Sequence, residues 1–171
     1  MATNMNVSMR YSTFLPMLLE AMRRTKGDVL ELGPGVFSTP LLHWLCEREK
    51  RNLLTIENDK GWFKFTKQYL QSKLHKFVFV EDWNDAAEYI NKQWDVVLVD
   101  HSPSNRRIEE IKKLANLAKF LIVHDSDPWK DHQYHYSKIY SLFKYKFNFD
   151  KANHQTVVLS NFYPVDDFWS E

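Results

Sequence analysis

Glu31-Leu32-Gly33-Pro34-Gly35-Val36-Phe37-Ser38 is the stretch on which the reading of this chain turns. It follows a short apolar run, Val29–Leu30, and precedes a helical stretch, Leu41–Glu49. Thr39 is placed to cap that helix and Pro40 to occupy its first position. Two of the chain's four glycines lie in the stretch. A glycine loop between a strand and a helix lets a ligand approach the backbone closely. The loop is therefore expected at the carboxyl end of a strand, facing a ligand.

Working outward, the same junction recurs. The apolar runs Leu53–Ile56, Phe77–Val80, Val96–Val99 and Phe120–Val123 lead to Glu57, Glu81–Asp82, Asp100 and Asp125, mostly about one strand–helix unit apart. Helical stretches are expected between them at 60–74, 85–92 and 107–117. A further helix at 12–25 carries Leu15, Leu18, Leu19 and Met22 at helical spacing, with Gly27 after it as a stop. This alternation predicts a parallel sheet covered by helices on both faces. The tail differs. Residues 144–149 alternate as a half-buried strand does, and Thr156–Ser160 is a second β-rich run. Asp150–Gln155 is too short for a crossover helix, so the two runs should form an antiparallel hairpin. The expected fold class is α/β: a seven-stranded, mostly parallel sheet, strand 28–32 central, the last strand antiparallel.

Ligands bind such sheets in the crevice beyond the carboxyl ends of the strands, so the acids should share one rim. A rim this acidic repels a pyrophosphate. It suits a ligand with positive charge, ribose hydroxyls or a metal. The dinucleotide fingerprint also asks for a third glycine where Ser38 stands. Glu57, 22 residues past Gly35, is placed to grip ribose hydroxyls.

At 171 residues the chain reads as one domain: an N-terminal helix within 1–26, a core over 27–162 and a tail over 163–171. A net charge of +1 leaves no electrostatic footprint for nucleic acid as a bulk partner. One cysteine, Cys46, excludes an intramolecular disulfide framework and fits a reducing, cytoplasmic setting. No apolar run is long enough to cross a membrane, and Met1–Ser8 has no signal-peptide core. Oligomeric state is left open.

The stretch Gly27–Leu45 resembles motif I, acid-x-Gly-x-Gly, of class I S-adenosylmethionine-dependent methyltransferases. The resemblance extends to Glu57 ending strand two, Asp82 after strand three, Asp100 ending strand four, and the reversed last strand. It implies the Rossmann-like methyltransferase fold and S-adenosylmethionine as cofactor. It also implies a cofactor-binding set of Glu31, Gly33, Pro34, Gly35, Ser38, Glu57, Asn58, Asp82, Trp83 and Asp100. In it the glycines lie against the methionine part and Glu57 accepts the ribose hydroxyls. Asp82 bonds the adenine amino group, with Trp83 beside the ring.

The acceptor is read by elimination and by a second resemblance. The Asn/Asp-Pro-Pro-aromatic motif of adenine and glutamine methyltransferases is replaced by Asp100-His101-Ser102-Pro103, and the paired-glutamate loop of arginine methyltransferases is not evident. Val97–His101 followed by Leu121–Asp125 is similar to metal-dependent O-methyltransferases of the catechol and caffeoyl type. That resemblance implies Mg²⁺ at Asp100 and Asp125, although Ser126 stands where an Asn is usual, with Asp127 as a substitute. The expected activity is methyl transfer to a hydroxyl of a small molecule or sugar, with Asp100, His101 and His124 as catalytic candidates. A hydroxyl must lose a proton, to a base near neutrality or with help from a metal. Trp129, His132, Tyr134 and His135 follow strand five as a substrate wall or a solvated loop. Arg106 and Arg107 read as an anion holder or a solvated helix start. His43, His75 and His154 read as surface groups. Two other readings stand beside this one: a dinucleotide enzyme on a Rossmann sheet, and a binding module without turnover.

Overall fold

A computed structural model describes residues 8–68, 70 and 72–169. The expectation for the extreme N-terminus therefore falls, over 1–7, outside the described residues. So do Tyr69 and Gln71 of the expected third helix, and Ser170 and Glu171 of the tail. Seven strands form one sheet: β1 Val29–Leu32, β2 Leu53–Glu57, β3 His75–Phe79, β4 Trp94–Val99, β5 Ala118–His124, β6 Tyr145–Phe149 and β7 Thr156–Ser160. Their order is β3-β2-β1-β4-β5-β7-β6. β7 runs antiparallel to both β5 and β6, and the other pairs are parallel. The expected sheet, its reversed strand and the central place of the first strand are all present.

Both faces of the sheet are buried, as a parallel sheet requires. Leu30 and Leu32 of β1 join Val97 and Val99 of β4 in one apolar cluster, against Ile111 and Leu114 of α5 (Arg107–Leu114). Val29, Val96 and Leu98 face the other way. They pack against Met17, Leu18 and Ala21 of α1 (Leu15–Arg24) and Leu42 and Cys46 of α2 (Ser38–Glu49). Each aliphatic side chain so buried stabilises the fold by roughly 1.5–3 kcal/mol. Three further α-helices are present among the described residues: α3 Lys60–Lys67, α4 Ala87–Ile90 and α6 Asp131–Tyr134. Among the described residues no helix is long and apolar enough to cross a membrane.

Element boundaries depart from the sequence pattern where side chains are used for something else. α1 begins at Leu15, behind a 3₁₀ turn at Met9–Ser12, because Pro16 belongs in a first turn. α2 begins at Ser38, and Thr39 is not its cap. The Thr39 hydroxyl is drawn inward to Glu31 instead. α3 is capped by Asp59, which accepts from Trp62 N at 2.6 Å, and stops at Lys67. Near that end the Thr66 hydroxyl bonds back to Trp62 O and Phe63 O, a competitor of the helical ladder.

The chain order reverses between β1 and β4, which is the switch point of the sheet. Backbone bonds continue just past the strand ends there. Gly33 N donates to Ile56 O at 3.0 Å, and Asp100 N to Leu32 O at 2.9 Å. These bonds bring Gly33, Glu57 and Asp100 to one crevice.

Candidate functional site

Gly33 has φ +88°, a region that L side chains rarely adopt. A Cβ there would also lie 2.6 Å from both Cα and N of His101. Glycine is thus required twice, and the loop backbone presses directly on the end of β4. The far side of the loop is tied from beneath. Gly35 N donates to Thr39 Oγ1 at 2.9 Å, and that hydroxyl donates to the Glu31 carboxylate. Thr55 Oγ1 donates to Glu31 Oε2 at 2.7 Å. The network runs on through His75 Nε2, 2.8 Å from Thr55, to His43, whose Nδ1 is 3.1 Å from His75 Nδ1.

Glu31 is 0 % exposed. It lies beneath the loop, bonded by the Thr39 and Thr55 hydroxyls. Burial pushes its carboxyl up to about 7, against the opposing bonds from Ser38, Thr55 and Thr39. The histidines read as surface groups at 43 and 75 are buried. They fill the face under α2, where the polar network gives them partners. Burial and the neighbouring His43 push His75 down to about 3.

The second wall comes from β2 and α3. Glu57 Oε1 accepts the backbone N–H of Asn58 at 2.8 Å and of Asp59 at 2.7 Å. Among the described residues nothing bonds Oε2. Burial raises the Glu57 carboxyl, and the two N–H bonds lower it in part. The Asn58 amide, oriented to donate, reaches Ser102 O at 3.2 Å. One turn into α3, the Trp62 indole donates to Pro34 O and stacks with Phe65 at 5.3 Å. Glu57, Asp59, Trp62, Phe65, Gly33, Pro34 and Asp100 line one open cavity of about 640 Å³, with Gly61, His101 and Ser102. No lysine or arginine is among these lining residues.

The third wall is the end of β4 and β5. Asp100 Oδ1 forms an ion pair with Arg107 Nη2 at 3.0 Å, and His124 Nδ1 lies 3.2 Å from the same oxygen. His124 Nε2 is 3.0 Å from Thr13 Oγ1. Thr13 donates its own hydrogen to the His154 carbonyl at 2.7 Å, so toward His124 it is an acceptor. Asp125 sits at φ +58° and gathers Lys130 Nζ at 2.6 Å, His154 Nδ1 at 2.7 Å and Tyr134 OH at 3.0 Å. Burial acts to raise the Asp125 carboxyl. Attraction to His124 and the bonds from Lys130 and His154 outweigh that and hold it well below the usual carboxylate range.

The other candidates are distributed differently. His101 is 1 % exposed, its ring 3.9 Å from that of Trp83. Its Nε2 lies 3.4 Å from Glu110 without hydrogen-bond geometry. Burial lowers the imidazole, with Glu110 opposing. Trp83 is buried and donates to Ser102 O at 2.7 Å, so it supports the loop after β4 from behind. Asp82 is exposed and accepts from Asn84 N at 2.7 Å. Ser38 is buried at the start of α2, beneath Gly35. His154 is drawn in by Asp125 and is only partly exposed. Of the segment after β5, Trp129 is open to solvent and Tyr134 is buried on Asp125.

Asp100, His124 and Asp125 offer ligand atoms within 4.8 Å of one another, close enough for a metal. The donor set nevertheless does not fit a divalent ion. Arg107 Nη1 is 3.8 Å from Asp125 Oδ2, and its Nη2 is on Asp100, so one guanidinium spans both carboxylates. Lys130 occupies the other oxygen of Asp125. Two unit charges 4 Å apart interact by about 4 kcal/mol at an effective dielectric of 20, and a dication doubles that. A metal would meet repulsion of that order from a cation already in place.

No protein-family model matches the chain, and no curated protein matches its sequence. Solved structures do resemble it. Rv0187 from MTB, solved with cofactor bound, superposes with a TM-score of 0.67 at 16% identity, covering 94% of this chain and 84% of that one. An O-methyltransferase from Bacillus cereus in complex with SAH gives 0.62 at 14% identity, covering 91% and 82%. Spermidine synthase from Thermotoga maritima gives 0.64 at 11% identity, covering 94% of this chain, which spans 63% of its length. The fold is the Rossmann-like one of class I S-adenosylmethionine-dependent methyltransferases.

Proposed function

We propose that the chain is an S-adenosylmethionine-dependent methyltransferase acting on a hydroxyl of a small molecule or sugar. The observation that carries the cofactor reading is the cavity at the switch point. It is lined by Glu57, Asp59 and Asp100 with no lysine or arginine, beside a loop that Gly33 lets pack against the end of β4. A pyrophosphate would be repelled there. A sulfonium nucleoside, with two positive charges and no phosphate, would be attracted. The likeness to structures solved with SAH supports the same reading.

Glu57 holds the ribose in this reading, because it lines the cavity and its Oε1 is spent on two N–H groups while nothing among the described residues bonds Oε2. Trp62 and Phe65 supply an apolar wall, and the Pro34 carbonyl is fixed by the Trp62 indole. When bound, S-adenosylmethionine supplies a methyl already activated on sulfur. The chain has only to align an acceptor with it and exclude water. Asp100, about a quarter exposed at the end of β4, orients the acceptor hydroxyl and takes its proton. His124 and Arg107 hold that carboxylate in place.

Calorimetry with S-adenosylhomocysteine, NAD and ATP tests the cofactor reading. Saturable binding of S-adenosylhomocysteine alone is expected; binding of NAD in its place would return the chain to the dinucleotide class. Isotopic methyl transfer across hydroxylated acceptors then separates an enzyme from a binding module. Cofactor binding without transfer to any hydroxyl would refute the acceptor assignment.

A further inference from the structure

Arg107 lies at the first position of α5, where a solvated side chain is the ordinary outcome. Here its side chain is 6 % exposed, and each of its three nitrogens is engaged. Nε donates to the His101 carbonyl at 2.7 Å. Nη1 reaches the His124 carbonyl at 3.3 Å and Tyr136 OH at 3.4 Å. Nη2 holds Asp100 at 3.0 Å, and Nη1 stands 3.8 Å from Asp125. The guanidinium is thus fixed by the ends of β4 and β5 and by the segment after α6.

We propose that Arg107 is a positioning residue that takes the place of a divalent ion, bridging Asp100 and Asp125 so that the site works without metal. The assignment of Asp100 to the acceptor rests on the methyltransferase reading above. The bridge itself rests only on this geometry. A guanidinium is charged at every relevant pH and cannot be exchanged or chelated. It keeps the two carboxylates from repelling each other. It also leaves Asp100 turned to the cavity with one defined orientation. His124, on the same oxygen of Asp100, and Lys130, on the far oxygen of Asp125, also face the pair. Other titratable groups around the pair are Asp127 and His154, through Lys130 or Asp125, and the Tyr134 and Tyr136 hydroxyls, on Asp125 and Arg107. A metal-dependent relative would need this space empty; here it is filled by the chain itself.

The test uses Mn²⁺ alone as the probe, read by the electron paramagnetic resonance of the free ion, with the full chain. Wild type should leave the free-ion signal undiminished, and its affinity for S-adenosylhomocysteine should be equal in EDTA and in Mg²⁺. Arg107→Met, if it folds, should gain Mn²⁺ affinity by roughly tenfold or more, because the resident charge has gone. Arg107→Lys, which keeps the charge, should not. Stoichiometric Mn²⁺ binding by wild type that Asp125→Asn abolishes would overturn the proposal, and this arm needs no Arg107 variant to fold. A folded Arg107→Met with no gain in Mn²⁺ binding would also count against it. Failure of S-adenosylhomocysteine to bind in the same samples would instead remove the methyltransferase reading and leave the Mn²⁺ result standing.

Discussion

Replacing Glu31 by Gln should make the protein's stability less dependent on pH. In the folded chain the Glu31 carboxyl is fully buried and raised from 4.5 to about 7. A raised acid binds its proton more tightly folded than unfolded. Its contribution is therefore fully present below pH 4.5 and is lost as the pH rises through 7. A shift of about 2.5 units at about 1.4 kcal/mol each makes the loss roughly 3.5 kcal/mol. Glutamine stays neutral and removes this component. It also asks one of the hydroxyls of Thr39 and Thr55, which now donate to the carboxylate, to turn and accept from the new amide. That rearrangement adds an offset that does not vary with pH. The measurement is urea unfolding of both proteins from pH 5 to pH 8. The difference in unfolding free energy should move in favour of the variant by roughly 2–3 kcal/mol as the pH rises. Subtracting one protein from the other cancels Asp125 and other groups that titrate equally in both. A difference constant across the range would refute the raised carboxyl.

Three further outcomes follow from the site. Glu57→Ala should weaken S-adenosylhomocysteine binding by roughly 1.5–3 kcal/mol, about 10- to 150-fold, and should also lower the melting temperature because the Asn58 and Asp59 N–H groups lose their acceptor; calorimetry showing full affinity in the folded variant would remove Glu57 from the ribose. Gly33→Ala should lower stability by more than the roughly 1–3 kcal/mol of a left-handed residue, because its Cβ also meets the His101 backbone; a normal melting temperature would refute the packing. Asp100→Asn should reduce kcat and kcat/KM together while cofactor affinity changes little. An Asp100→Asn protein with normal turnover per folded molecule would free Asp100 from the chemistry.

The parts of the site that were legible in sequence are those the backbone fixes. Gly33 and Glu57 stand at strand ends, and a strand end has one place in a parallel sheet. Side chains that act across elements were not legible. Trp62 falls within a helical stretch, and which helical face meets the Pro34 carbonyl depends on how α3 docks. Its signal was local: an aromatic one turn after an acid that ends a strand. Arg107 has the pattern of a solvated helix start, and only the separation of β4 and β5 tells that it bridges two carboxylates. Glu31 carried the motif, but its burial was not legible. Period two places it with Val29, on the face that α2 covers, so the motif's acid serves the loop from beneath. The same face swallowed His43 and His75, whose polarity alone had suggested water.

The sheet ends on β3 and β6, and an edge strand offers its unpaired N–H and C=O groups to any other strand that comes near. Both edges carry aromatic side chains, Phe77 and Phe79 on one and Tyr145 and Phe147 on the other. That composition favours sticking. Each edge also carries an exposed lysine in its run: Lys76 over the ring of Tyr89, and Lys146 over that of Tyr140. Two copies meeting edge to edge would bury these ammonium groups against one another or against backbone, at the cost of their hydration. An exposed lysine on an edge strand disfavours strand-by-strand pairing with another copy.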